Sequence, residues 1–203
     1  MKIICIGRNY VEHIEELKNE RPDEPVFFMK PDTSILRKNR PFYIPSFSND
    51  LQHEVELIIK IDKVGKNISK KFAHRYYSSI GIGIDFTARD IQNELISKGL
   101  PWEKCKAFDN SAAFGEEFIS LDQLDKNNIE FHLDINGDRR QTGNSSKMIF
   151  SFDDIISHVS KYITLKTGDL IYTGTPSGVS PVKINDRLQA YIGDKKLMDF
   201  LIK

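Results

Sequence analysis

Two acidic residues have a spacing that suits a metal site. Glu54 and Glu56 are two residues apart in a segment that alternates like a strand, so their side chains share the face opposite Val55 and Leu57. Adjacent carboxylates repel each other, and they are stable together where the face meets water or where a cation lies between them. The pair alone therefore fits either a solvated acidic face or a metal site.

Asp85 supplies a third acid. It follows an apolar run at residues 81–84 that predicts a buried strand, and it precedes a predicted helix, a junction from which an acid can point into a site. Three carboxylates without a neighbouring His or Cys form a hard ligand set, which suits Mg²⁺ or Mn²⁺ better than structural zinc. Asp85 could equally be a local turn residue, and its spacing does not decide between the two.

Arg89 and Gln92 lie three residues apart near the start of the helix predicted after Asp85, so they share a face. A guanidinium, an amide and the positive end of a helix together favour an anion such as a substrate carboxylate. The alternative is a surface Arg and Gln on an amphipathic helix, and the spacing by itself favours that alternative.

His13 and Glu16 have the same three-residue spacing in the first predicted helix. A carboxylate beside an imidazole can orient the ring, and such a dyad can deprotonate a water. A solvated His–Glu pair is the alternative, because other charged residues surround it. Lys106 falls in a predicted loop, where it is either a cation for a developing oxyanion or an ordinary surface lysine.

The elements that must position these residues are mostly strands. Apolar patterns predict strands at 3–6, 53–61, 129–136, 147–150, 169–173 and 186–192. Helices are predicted from an Asn9 cap to about residue 18, from a capping box at Thr87 and Asp90 to residue 98 with Gly99 ending it, and over 153–162. The order does not repeat as βαβ, so we predict a β-rich α+β fold.

Composition excludes several classes of protein. The chain has 203 residues, 29 of them Lys or Arg and 29 Asp or Glu, so no sequence-wide basic field exists for a nucleic acid or an anionic membrane. The length predicts one domain over residues 1–203. Two cysteines are too few for a disulfide framework, and no apolar run is long enough for a signal peptide or a membrane span, so we predict a cytoplasmic protein.

In chain order, these motifs resemble those of the fumarylacetoacetate hydrolase family. The matching segments are GRNYVEHIEE (7–16), FFMKPDTS (27–34), HEVEL (53–57), GIGIDFTARDIQ (81–92), PWEKCKAFD (101–109), NGDRRQTGNSSKMIF (136–150) and GDLIYTGTPSGV (168–179). They span most of the chain, and the nearest resemblance is to the small acylpyruvate hydrolase and oxaloacetate decarboxylase type.

The resemblance implies a mixed β-sheet roll with a few peripheral helices, like the C-terminal domain of that family. It further implies a homodimer with one Mg²⁺ or Mn²⁺ per chain. The positions that match functional positions of the family are the metal ligands Glu54, Glu56 and Asp85, the substrate-binding residues Arg89, Gln92, Thr175 and Lys30, and the catalytic residues His13, Glu16 and Lys106.

The implied activity is metal-dependent hydrolysis of a C–C bond in acylpyruvate-like 2,4-dioxo acids. His13, assisted by Glu16, would deprotonate the attacking water, and Lys106 would stabilise the oxyanion. Oxaloacetate decarboxylation and isomerisation of a 2-hydroxymuconate-type acid are alternatives on the same site, where tautomerisation is a closely related reaction. A non-catalytic binder of a metal or metabolite is the alternative from another class. The predicted partner is a small 2-oxo acid.

Overall fold

Strands make up most of the architecture. The computed structural model describes residues 1–18 and 20–203. The strands are β1 (Ile3–Gly7), β2 (Val26–Lys30), β3 (Ile35–Leu36), β4 (Leu51–His53), β5 (Val55–Lys60), β6 (Ser79–Asp85), β7 (Thr87–Ala88), β8 (Ala112–Phe114), β9 (Ile119–Ser120), β10 (Glu130–Ile135), β11 (Asp138–Asn144), β12 (Leu170–Tyr172), β13 (Ser180–Pro181), β14 (Arg187–Ile192) and β15 (Lys195–Leu201). The helices are α1 (Val11–Glu16), α2 (Lys70–Ala73), α3 (Arg89–Ser97), α4 (Glu103–Lys106) and α5 (Phe152–Tyr162).

The largest sheet has the order β2-β1-β12-β5-β6-β8-β3, with β9 also pairing β6. Two of its pairs, β1 with β12 and β3 with β8, are parallel, and the others are antiparallel. A second sheet has the order β11-β10-β14-β15, and a third has the order β13-β4-β7. The predicted β-rich α+β class is therefore confirmed, with mixed sheets at its centre.

Both faces of the central strands are buried, as nearly continuous apolar runs require. On one face, Leu57 and Ile59 of β5 join the main hydrophobic core. On the other face, Ile58 packs with Cys5 and Tyr172 in a smaller cluster. Because Glu54 and Glu56 share the Ile58 face, their surroundings are the protein interior.

The predicted strand at 53–61 is broken at Glu54. Before this residue, β4 pairs with β7 and β13, and after it, β5 pairs with β6 and β12. The chain therefore leaves one sheet and enters another at Glu54, whose carbonyl accepts a 2.8 Å hydrogen bond from the Asp85 amide.

Helix α5 matches its prediction closely. Ser151 and Asp154 form a capping box at its start, and Ile155, Ile156 and Val159 are buried. Tyr162 does not join this apolar face, because it is 57% exposed. None of the helices among the described residues has the length and apolar character needed to cross a membrane.

Two predicted helix caps are wrong. Helix α1 begins after Tyr10, and helix α3 begins after Ala88, each without a side-chain cap. The Asn9 side chain instead donates to the carbonyls of Phe150 and Thr173, and Thr87 belongs to strand β7. Helix α3 nevertheless ends as predicted, since Gly99 follows it with φ +63°.

The predicted strand at 147–150 is also wrong. Residues Ser145–Lys147 form a single 3₁₀ turn, which Asn144 caps by accepting from the Ser146 amide. The next residues turn toward Asn9, whose carbonyl accepts from the Ile149 amide at 2.9 Å and whose side chain accepts from the Phe150 amide at 2.8 Å. These bonds to Asn9 replace a strand ladder.

Candidate active site

The three predicted metal ligands meet at one end of the central strands. Glu54 follows β4, Glu56 lies in β5, and Asp85 ends the neighbouring β6. One oxygen of each carboxylate lies within 4.8 Å of the others, and all three residues are buried. The solvated face that the sequence left open is therefore excluded, and Asp85 belongs to the cluster rather than to a surface turn.

Two cations are bonded directly to these acids. Lys106 Nζ donates to Glu54 Oε2 at 2.6 Å, to Asp85 Oδ2 at 2.9 Å and to Thr87 Oγ1 at 2.6 Å. Arg89 donates through Nη2 to Glu54 Oε1. The predicted loop around Lys106 is instead helix α4. Lys106 is buried at the end of this helix, so it is not a surface lysine.

The pKa values of Glu54 and Glu56 are shifted in opposite directions, because, within the described chain, only Glu54 is paired with cations. Burial raises the pKa of Glu54, but Lys106 and Arg89 outweigh burial and hold that pKa well below its usual range. Burial, and then the charges of Asp85 and Glu54, raise the pKa of Glu56 well above its usual range. Among the described residues, Glu56 Oε2 accepts only the Gly174 amide, at 2.6 Å. Within that part of the chain, Glu56 therefore lacks a cationic partner of its own.

The residues present fit a divalent cation. Asp85 Oδ1 is fully buried and accepts no hydrogen bond from any described residue. Lys30 Nζ is 2.6 Å away from it, but the hydrogen bonds of Lys30 go to Ser111 and to the Phe86 carbonyl. The set contains only oxygen ligands, Asp85 Oδ1 accepts no hydrogen bond, and Glu56 has no ion pair with a described residue, which together suit a hard ion.

Lys30 does not belong to the cavity wall. We predicted that it binds substrate, but it is buried behind Asp85 and is absent from the lining residues. Its bonds to the Ser111 carbonyl at 2.9 Å and to Ser111 Oγ at 3.0 Å fix it there. Lys30 is therefore positioned to compensate the charge of Asp85, and its contact with a substrate stays a prediction.

The acids open onto a cavity that both polar and apolar residues line. The polar lining residues include the predicted set Glu54, Glu56, Asp85, Arg89, Gln92, Lys106, Thr175 and His13. The apolar lining residues are Ile6, Leu17, Phe28, Ile96 and Trp102. Such a cavity can bind a ligand that has both polar and less polar groups.

His13 and Glu16 form the predicted dyad. His13 Nδ1 lies 3.1 Å from Glu16 Oε2, and the Gly178 amide donates to Glu16 Oε1 at 3.0 Å. Since a carboxylate only accepts, Nδ1 carries the proton and Nε2 keeps a lone pair. Burial lowers the pKa of His13, and Glu54 and Glu16 oppose this effect only in part, so the neutral ring is favoured. The dyad therefore presents a base to the cavity.

Arg89 and Gln92 also meet as predicted. Arg89 donates from Nε to Gln52 at 2.9 Å and from Nη1 to Gln92 Oε1. With one further bond to Glu54, the guanidinium uses three of its five N–H groups. The contact with Arg89 also orients the Gln92 amide, whose NH₂ group has no partner among the described residues. Two N–H groups of Arg89 and the NH₂ group of Gln92 are therefore available to an anion.

Thr175 lines the cavity, but its hydroxyl is occupied. Thr175 Oγ1 donates to the Val55 carbonyl at 2.9 Å and accepts from Gln141 Nε2 at 2.9 Å. Gln141 Oε1 accepts from the Val55 amide at 3.0 Å and faces His53 Nδ1 at 2.8 Å. Gln141 thus joins the segment after β12 to the strand junction beside Glu54. The hydroxyl of Thr175 has no proton left for a substrate, which leaves the backbone N–H as its donor.

Sequence reasoning missed three residues that build this site. Gln141 and Asn9 are buried amides that join distant segments, and Arg8 lines the cavity. Asn9 Nδ2 donates to the Thr173 carbonyl at 2.7 Å, and a Cβ at Gly174 would lie 2.7 Å from that of Asn9. Arg8 and Asn9 lie within the GRNY motif, but the partners of Asn9 are more than a hundred residues away along the chain.

The mixed sheet, the acid cluster and the dyad together identify a family. The chain belongs to the fumarylacetoacetate hydrolase family: the model described as fumarylacetoacetate (FAA) hydrolase C-terminal matches residues 2–200. Similar members of this family are enzymes, among them a tautomerase, a decarboxylase and a hydrolase, so the chain is a fumarylacetoacetate hydrolase family enzyme. The family and the fold expected from the resemblance are confirmed.

Three similar proteins illustrate the range of this family. The mitochondrial oxaloacetate tautomerase FAHD1 of Bos taurus is 41% identical over 202 residues, which cover 99% of this chain and 91% of that protein. The mitochondrial oxaloacetate decarboxylase of Dictyostelium discoideum is 45% identical over 184 residues, which cover 90% and 84%. The crystal structure of fumarylpyruvate hydrolase from Pseudomonas aeruginosa with Mn²⁺ and pyruvate has a TM-score of 0.92 at 31% identity, covering 100% of this chain and 89% of that one.

Proposed function

We propose that this protein catalyses keto–enol tautomerisation of oxaloacetate with a divalent cation held by Glu54, Glu56 and Asp85. The observation that carries the proposal is the His13–Glu16 dyad, a neutral base in the same cavity as the three acids. Two relatives described above are an oxaloacetate tautomerase and an oxaloacetate decarboxylase. The cation is Mg²⁺ or Mn²⁺, and Mn²⁺ accompanies pyruvate in the related hydrolase.

Proton transfer at C3 of the substrate is the central step. When bound, the cation supplies Lewis-acid polarisation of the 2-oxo group. His13 Nε2 accepts a C3 proton, the C–H electron pair becomes the C2=C3 double bond, and the carbonyl pair moves onto the C2 oxygen. Return of a proton to that oxygen completes the enol, and the reverse sequence restores the keto form. Glu16 holds the ring and stabilises its protonated form.

Arg89 and Gln92 would bind the C1 carboxylate of the substrate. The two unused N–H groups of Arg89 and the NH₂ group of Gln92 are donors of the kind that a carboxylate accepts. The rigid pairing of Arg89 with Glu54 orients these donors before substrate arrives. The reacting carbon would therefore be held in a constant position relative to His13, which favours proton transfer.

Hydrolysis of acylpyruvates is the second candidate. It is favoured by the apolar lining, which includes Phe28 and Trp102 and suits an acyl group. The base would then deprotonate a water instead of C3. The oxyanion role predicted for Lys106 is not supported by its bonds, because all three of its protons go to Glu54, Asp85 and Thr87. Lys106 would instead compensate the charge of the acids.

A substrate panel tests the proposed function. Protein treated with EDTA and then supplied with Mg²⁺ or Mn²⁺ is given enol oxaloacetate, and the loss of enol absorbance and the release of pyruvate are followed separately. We expect enol loss well above the spontaneous rate without matching pyruvate, abolished by EDTA and restored by metal. Activity that survives chelation contradicts the proposal.

The other outcomes of the panel are equally informative. Pyruvate from oxaloacetate indicates a decarboxylase, and pyruvate from acetylpyruvate indicates the hydrolase. Metal-dependent binding of oxalate without turnover of any substrate indicates a non-catalytic binder. The homodimer and the cytoplasmic location remain predictions, which sedimentation of the purified protein and imaging of a fluorescent fusion would test.

A further inference from the structure

Arg8 is a cation of the cavity that the proposed reaction does not use. It is half-buried and lines the same cavity as Arg89 and Lys106. Those two residues are bonded to Glu54. Arg8 makes no ion pair or side-chain hydrogen bond with any described residue, so its five N–H groups are available.

Arg8 adds a positive charge beyond those that already contact the three acids. Three buried carboxylates form the cluster, and three buried cations contact them, namely Lys30, Lys106 and Arg89. Arg8 is not needed to balance any of these groups. A positive group in a partly enclosed cavity attracts an anionic part of a ligand, because the surrounding protein screens charge less than water does.

The backbone holds Arg8 in an uncommon conformation. Its φ is +58°, in the left-handed region that residues other than glycine rarely adopt. The residues on either side are anchored, since Gly7 ends β1 and the Asn9 side chain bonds the Thr173 and Phe150 carbonyls. The guanidinium is therefore presented from a fixed turn just before α1, the helix that carries His13. Such local strain at a cavity is typical of residues with a role in binding.

We propose that Arg8 binds the distal carboxylate of the substrate and makes the enzyme selective for 2-oxo dicarboxylates over 2-oxo monocarboxylates. This inference rests on the proposed function, which assigns the C1 carboxylate to Arg89 and Gln92. The apolar residues that line the same cavity, such as Leu17 and Trp102, cannot pair a negative charge. Arg8 thus distinguishes a charged distal end from an apolar one.

A matched pair of unreactive ligands tests this assignment. 2-Oxoglutarate and 2-oxopentanoate have the same number of carbons, and a methyl group in the second replaces the distal carboxylate of the first. Calorimetric titration in the presence of Mn²⁺ compares the wild type with Arg8→Gln and Arg8→Lys. The control is Lys38→Gln, since Lys38 is exposed, has φ +62° and lies outside the cavity.

We expect Arg8→Gln to lower the affinity for 2-oxoglutarate by about 10- to 100-fold, which is the range for a hydrogen bond to a charged group. The affinity for 2-oxopentanoate should not change. Arg8→Lys should retain part of the preference, and Lys38→Gln all of it. Equal losses for both ligands, no loss for either, or a wild type that binds neither would overturn the assignment. If Arg8→Gln loses the preference for 2-oxoglutarate but the wild type does not tautomerise oxaloacetate, the proposed function is refuted. The assignment of Arg8 to the distal carboxylate would still hold.

Discussion

Lys106 Nζ donates to Glu54 Oε2 across 2.6 Å, and both residues are buried. The same nitrogen bonds Asp85 at 2.9 Å, so one ammonium joins two of the three acids. Burying these charges is costly, and their mutual contacts offset the cost only while every partner is present. The acid cluster is therefore stable as a set and sensitive to the loss of one member.

Replacing Lys106 tests this dependence. Lys106→Met should lower the free energy of unfolding of the metal-free protein by about 3–5 kcal/mol, because it leaves buried carboxylates unpaired. Added Mn²⁺ should raise the melting temperature of this variant more than that of the wild type. Lys98→Met is the control, since the 2.5 Å pair of Lys98 with Glu94 is exposed and should matter far less. Equal losses in the two variants would contradict the prediction.

Glu56 should behave in the opposite way. Glu56→Gln abolishes the repulsion that Asp85 and Glu54 exert on an ionised Glu56, and its side-chain oxygen can still accept from the Gly174 amide. We therefore expect the metal-free variant to be at least as stable as the wild type, with Mn²⁺ affinity lower by about 10- to 100-fold or more. Thermal unfolding and Mn²⁺ titration measure the two quantities. A variant that binds Mn²⁺ as tightly as the wild type would exclude Glu56 as a ligand.

The pH dependence of turnover reports on His13. Only the neutral imidazole can accept a proton, and burial lowers its pKa below 6.5. The value of kcat/KM should therefore reach a plateau above this lowered pKa and fall as the pH drops through it. Glu16 raises that pKa, so Glu16→Gln should move the acid limb to still lower pH while reducing the maximum rate. Movement of the limb to higher pH would be inconsistent with the dyad.

Removing the base itself should separate catalysis from binding. His13→Ala should lower kcat by about 10²- to 10⁴-fold, the usual contribution of a general base, and leave oxalate affinity within a few fold. Stopped-flow turnover and calorimetric titration measure the two effects. Normal turnover in this variant would show that another group transfers the proton.

Gln141 should be required for the geometry of the site. Gln141→Leu leaves the Val55 amide and His53 without their buried acceptor, which should cost about 1–3 kcal/mol of unfolding free energy. It also releases Thr175, so KM should rise as well. Gln189→Leu is the matched control, because Gln189 makes a single 3.0 Å bond to Asp199 on a partly exposed strand. A KM unchanged by Gln141→Leu would remove its positioning role.

The features that sequence predicted are those with local causes. Helix α5 follows from a capping box and an apolar face within twelve residues, and strand β5 follows from its alternating apolar residues. The Glu-x-Glu spacing places two acids on one face, whatever lies opposite them. The burial of that face could not be predicted from the local sequence, because the residues packed on it, Cys5 and Tyr172, come from distant strands.

The failures have long-range causes. Asn9 has the residue type of a helix cap, but its partners Phe150 and Thr173 are 141 and 164 residues away. Thr87 resembles a cap for the same reason, yet its hydroxyl accepts from Lys106. Arg8 belongs to the GRNY segment, but no role could be assigned to it before the cavity showed that it lines the site. Tertiary contacts thus overrode the local preferences of polar residues that build the site.

Strand β12 lies between β1 and β5, although it follows them by more than a hundred residues. During translation, Glu54, Glu56 and Asp85 therefore leave the ribosome long before the strand that completes their sheet and before Gly174, which bonds Glu56. The acids cannot reach their buried arrangement until the chain has been synthesised past these residues. A cation held by these acids would therefore be bound only after Gly174 has been synthesised, and a chain truncated before β12 would lack a complete site.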